Sequence, residues 1–109
     1  MSARHPGLAA GGWGRLSLSE QLGNVGSEVG RAVRWKEKNP RLFEEAMLRA
    51  LELLDLSIQD SRWIHRLKEL ARVREFLCAA WLGSPEYKTT LEDLDRYFLN
   101  FAVLARKSR

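Results

Sequence analysis

From Leu18 onward, apolar residues recur at three- and four-residue steps, the spacing that places them on one face of an α-helix. Strand-like alternation is absent, and Leu, Ala, Arg and Glu, all good helix formers, dominate from residue 17. The first predicted helix runs from Leu18 to Lys38, with Leu22, Val25, Val29, Ala32 and Val33 on one side. Ser17 and Glu20 stand at capping-box spacing, each able to satisfy a free backbone N–H of the other. Asn39-Pro40 then breaks and restarts the chain, with Asn suited to the cap and Pro to the first helical position. The second helix spans Pro40 to Ile58 on a stripe of Phe43, Ala46, Met47, Ala50, Leu51 and Leu54. The third, capped by Asp60, runs from Ser61 to Leu82 on Trp63, Leu67, Leu70, Leu77 and Trp81, and Gly83 ends it. Thr89 with Glu92, or Thr90 with Asp93, caps a fourth helix over Thr90 to Lys107.

Four amphipathic helices with short connections predict an all-α, antiparallel up-down four-helix bundle. The 109-residue length fits one domain. Residues 17–109 form the predicted bundle. Residues 1–16, with Pro6, Gly7, Gly11, Gly12 and Gly14, read as a flexible tail. No apolar run reaches the roughly 18–20 residues of a membrane span. Met1 to Arg15 has no apolar core of the signal-peptide kind, and a cytoplasmic location is expected.

Little points to catalysis. The single Cys78 excludes an intramolecular disulfide and a cysteine-based zinc site, and its place in an apolar stripe reads as a small buried hydrophobe. His5 falls in the tail and His65 stands alone on the third helix. Neither the carboxylate clusters nor the glycines have the spacing of a metal or nucleotide site. No enzyme activity, cofactor, metal or small-molecule substrate is expected.

Gly23, Gly26 and Gly30 lie inside the first helix, where each costs about 1 kcal/mol relative to Ala. Close approach of another backbone would offset that cost. Packing within the domain, a subunit contact or a ligand are the three readings, and the subunit contact makes these glycines candidate oligomer-interface residues. Trp13, apolar in a polar tail, has no evident partner and is expected to dock on its own bundle or on a neighbouring chain.

Charge distribution narrows the picture further. Lys plus Arg number 18 against 14 acids, for a net charge of +4. The second helix carries two bases and four acids, the third five bases and two acids. Arg31, Arg34 and Lys38 near the end of the first helix, with Arg62, Arg66, Arg72 and Arg74 on the third, are the candidate nucleic-acid contacts. Arginine outnumbers lysine 13 to 5, and its planar fork suits phosphate. The competing reading is a solvated face with local ion pairs, such as Arg62 and Arg66 with Glu69. Trp35, among Arg34, Lys36 and Lys38, either closes the bundle end or stacks a base.

Ser19-Glu20-Gln21, Asn24-x-Gly26-Ser27-Glu28-Val29-x-Arg31-Ala32, Arg49-Ala50-Leu51-Glu52-Leu53-Leu54-Asp55 and Tyr97-Phe98-x-x-Phe101-x-x-x-Ala105-Arg106 resemble short helical proteins of bacteria and archaea. More distantly, Gln21 six residues before Ser27 and the small-residue-rich first helix are similar to one four-helix-bundle superfamily. It holds the 23S rRNA intervening-sequence proteins and the accessory variability determinant (Avd) proteins of diversity-generating retroelements. Those families usually carry an Asn-Ile-Ala-Glu-Gly-like element after the serine, where this chain has Glu28-Val29-Gly30-Arg31. The resemblance implies a non-enzymatic, basic homo-oligomer, a pentamer in Avd proteins, that binds a reverse transcriptase and its template RNA. The alternative is a protein–protein adaptor that binds no nucleic acid and uses apolar anchors such as Trp13, Trp35 or Trp63.

Overall fold

The computed structural model describes residues 12–84, 86 and 88–107. Within them the chain is all-helical, with four α-helices packed compactly: α1 (Leu18–Trp35), α2 (Pro40–Ile58), α3 (Leu67–Leu82) and α4 (Leu91–Lys107). Short 3-10 helices at Trp13–Arg15 and Ser61–Arg66 precede α1 and α3. Helices of this length are about 24–29 Å long, matching a molecule of 35 × 27 × 27 Å.

Local chemistry sets the boundaries. At the start of α1 the Glu20 amide donates to Ser17 Oγ (3.1 Å) and the Ser17 amide donates to Glu20 Oε1 (2.9 Å), closing the capping box. The helix stops at Trp35, three residues before the expected end. The Lys38 and Asn39 amides turn back to the Trp35 carbonyl, and Asn39 is extended (φ −152°) ahead of Pro40. Asn39 Oδ1 then accepts from the Leu42 amide to start α2. At α4 the Thr90–Asp93 pair makes the cap, the Thr90 amide donating to Asp93 Oδ2 (3.0 Å) and the Asp93 amide to Thr90 Oγ1 (3.1 Å). Gly83, at φ 69°, closes α3 in the left-handed region that glycine enters freely.

The third segment departs from a single helix over residues 61–82. Asp60 caps Ser61–Arg66 through the Arg62 amide, Trp63 leaves helical geometry (φ −103°, ψ 23°), and α3 begins only at Leu67. At this bend the Trp63 indole donates to Gln21 Oε1 (2.9 Å).

α1 lies along both α2 and α4, while α3 touches α2 and α4 more lightly. The core joins Leu22, Val25, Val29 and Ala32 of α1 to Met47, Ala50 and Leu54 of α2, Leu70 and Leu77 of α3, and Leu94 and Phe98 of α4. Trp13 is buried in the same core, so the segment from residue 12 to 16, expected in a flexible tail, packs as part of the bundle. Residues 1–11 of that tail, together with Pro85, Tyr87, Ser108 and Arg109, lie outside the described residues.

Candidate functional site

Two kinds of surface could serve an interaction: the arginine-rich ridges and the large apolar side chains left in water. Four of the seven candidate nucleic-acid contacts are held by the chain's own carboxylates. Arg31 Nη1 donates to Glu28 Oε1 at 2.7 Å, and Arg49 Nε takes Oε2 of the same carboxylate at 2.7 Å. Glu28 is buried on α1, and two guanidiniums compensate for its lost hydration. Arg62 binds Asp60 through Nε and Nη2, donates to the Leu16 carbonyl (2.8 Å), and lies 4.4 Å from the Trp63 ring centroid. That guanidinium, with a further hydrogen bond from Gln21, holds the Asp60 carboxyl down at about 2.

Arg66 pairs with Glu69 at 2.8 Å, and Tyr97 donates its hydroxyl to the other Glu69 oxygen at 2.8 Å. The Arg66 hydrogen bond keeps Glu69 below the usual carboxylate range, while burial, and then Glu69, pushes the Tyr97 phenol far up. Arg74 closes on Asp55 at 2.6 Å, bridging α3 to α2. The remaining three, Arg34, Lys38 and Arg72, have no carboxylate partner among the described residues. Arg72 lies 5.7 Å from the Phe76 ring centroid. Arg34 and Lys38 line an open cleft of about 300 Å³ with Val33, Lys36, Glu37 and Glu92. Exposed pairs contribute at most about 1 kcal/mol each. Pairing therefore does not lock these arginines away, but it cancels much of the positive field that would draw a phosphate backbone.

The glycines face α4 of the same chain. A Cβ on Gly26 would stand 2.5 Å from Phe98 Cβ, on Gly23 3.2 Å from Ala102 Cα, and on Gly30 3.3 Å from Asp95 Oδ1. The close approach that offsets their helix cost is thus intramolecular, and the Trp13 side chain is likewise taken by its own core.

The sequence pattern did not single out the polar centre that organises this end of the molecule. Gln21, fully buried, donates from Nε2 to the Trp13 carbonyl (2.9 Å) and to Asp60 Oδ2 (3.0 Å). Its Oε1 accepts from Ser57 Oγ (2.8 Å) and from Trp63 Nε1 (2.9 Å). All four hydrogen-bonding positions of the amide are filled. The available signal was a polar residue beside Leu22, on the stripe of α1. Buried Trp13 Nε1 has no acceptor among the described residues. His65 is exposed, Cys78 is half-buried with Sγ 3.7 Å from Arg74 Nη1, and the described residues hold no cluster suited to a metal ion.

Seven large apolar side chains stand in solvent: Trp35, Ile64, Leu67, Leu82, Leu99, Val103 and Leu104. Gly23 faces Ala102 and Gln21 holds Trp63, so the start of α1, the end of α4 and the second 3-10 helix share one end of the molecule. Five of the seven, all but Trp35 and Leu82, belong to those elements or to the first residue of α3. No helix among the described residues is long and apolar enough to cross a membrane. No protein-family model, no curated protein and no solved structure matches the chain.

Proposed function

We propose that the chain is a non-enzymatic accessory protein, an antiparallel up-down four-helix bundle that acts in the cytoplasm as a protein-binding adaptor. One contrast carries the reading: most candidate arginines are answered by the chain's own carboxylates, whereas five large apolar side chains, on α4 and where the second 3-10 helix meets α3, are exposed. Covering half-exposed leucines is worth on the order of 1 kcal/mol each, whereas paired guanidiniums supply little net field. Self-association belongs to the same reading. A groove of about 350 Å³ along α2, lined by Leu48, Leu51 and Leu56 beside the Asp55–Arg74 pair, offers a second apolar surface for it. A pentamer is the stoichiometry that the Avd resemblance implies.

A second reading is retained for one observation. Arg34 and Lys38 share an open cleft next to Trp35, which is 37% exposed. Cations beside an exposed indole suit single-stranded RNA, and an RNA–reverse transcriptase accessory of the Avd type would use that end.

Photo-cross-linking in cells separates the two, with a reactive residue placed at position 99 or at position 34. The adaptor reading expects protein adducts from position 99 and no retention of RNA by the purified protein at about 50 mM salt. RNA adducts from position 34, with retention that falls steeply with salt and is lost in Arg34→Glu/Lys38→Glu, would establish the second reading instead.

A further inference from the structure

The outer face of α4 combines exposed aliphatic side chains with a basic C-terminal end. Leu99 (54% exposed), Val103 (38%) and Leu104 (50%) put three aliphatic side chains into water within two turns. Leu99 and Val103 stand one turn apart and form a ridge along the helix. Along the helix the charge beyond this ridge is basic: from Arg96 to Lys107 the chain contains no acidic residue, and the next acid, Asp95, lies one turn before Leu99. Arg106 and Lys107 are exposed and have no carboxylate partner among the described residues, while Arg96 is held by Asp93.

Beside the ridge runs a cleft of about 330 Å³ between α1 and α4. It is floored by the small residues Gly23, Ser27, Ala102 and Ala105 and edged by Arg106. The one acid lining it, Glu20, already accepts from the Ser17 amide at the start of α1. An aliphatic ridge next to a channel of small side chains is the relief into which the ridge of another helix fits. A basic rim selects the charge of that helix.

We propose that this face docks an acidic amphipathic helix of a partner protein, its apolar stripe on Leu99, Val103 and Leu104 and its carboxylates on Arg106 and Lys107. The proposal rests on the adaptor reading and specifies its partner. The face lacks an aromatic anchor of the kind that seats a helix in a bilayer interface, which favours a helix over a lipid surface.

The full chain is titrated with two 18-residue helical peptides that share one leucine stripe, one flanked by glutamate and the other by lysine. Fluorescence anisotropy should show binding of the glutamate peptide only. Affinity should fall at least about tenfold in Leu99→Ser/Val103→Ser and, independently, in Arg106→Glu/Lys107→Glu. The second pair alters only exposed side chains and keeps the test valid if the first disturbs folding. Equal binding of the two peptides, or no loss in the charge-reversed variant, overturns the proposal. So does binding of phosphatidylglycerol vesicles in place of the peptide, or a self-associated species that dissociates on Leu99→Ser/Val103→Ser, which would put a second copy on this face. If the peptides fail while position 99 still gives protein adducts in cells, the acidic partner is wrong and the adaptor reading stands. If positions 64, 82 and 99 all give none, both fall.

Discussion

At Gly26 one carbon sets helix propensity against packing. Alanine there would improve the intrinsic propensity of α1 by about 1 kcal/mol. Its Cβ would also stand 2.5 Å from Phe98 Cβ, a separation that backbones must move apart to relieve. Overpacking of this kind costs about 1–3 kcal/mol, so Gly26→Ala should lower the urea midpoint of unfolding, and a rise would show that α4 is not seated there. Gln21 poses the opposite problem, a polar group that the core needs. Gln21→Leu strands Ser57 Oγ, Trp63 Nε1 and the Trp13 carbonyl at once. With roughly 1–3 kcal/mol for a buried group left unpaired, a loss of about 2–4 kcal/mol is expected in the same denaturation. The glycines were visible as costly positions in a helix. Which backbone approached them was not, because Phe98 lies 72 residues away and no local pattern couples the two.

Among the elements, caps and breaks were legible where one short motif decides them. Ser17–Glu20, Asn39-Pro40 and Gly83 all act where their chemistry predicts. The second 3-10 helix was not legible, because Asp60 has two jobs: it caps the turn, and it receives both Arg62 and Gln21. Those contacts give acid stability a defined dependence. The Asp60 carboxyl, held at about 2 by Arg62 against an ordinary 3.8, contributes stability that is complete well above pH 4 and is lost as the pH falls toward 2. Asp60→Asn should therefore be less stable than the parent at pH 7, with the gap closing below about pH 3. Equal midpoints at pH 7 would show that the interaction does not stabilise the fold.

For the molecule as a whole, charge and apolar surface lead to different expectations than composition does. A net +4 concentrated on two ridges suggested a phosphate-binding face. The pairings of Arg31, Arg62, Arg66 and Arg74 spread that charge, and the apolar end of α4 and the groove on α2 become the more distinctive surfaces. If the α2 groove mediates self-association, light scattering should return a multiple of 12.5 kDa for the parent and the single-chain mass for Leu48→Glu. A monomeric parent would refute that part of the proposal.

Helical periodicity, capping residues and proline positions determined the all-α class and, to within a turn, most helix ends, because each acts over three or four residues of contiguous chain. The fate of the arginines, the burial of Trp13 and Gln21 and the partner of each glycine were decided only in the tertiary structure. Those outcomes depend on which side chains, tens of residues apart, share a dry interior or a carboxylate, and a linear pattern holds no record of such distances.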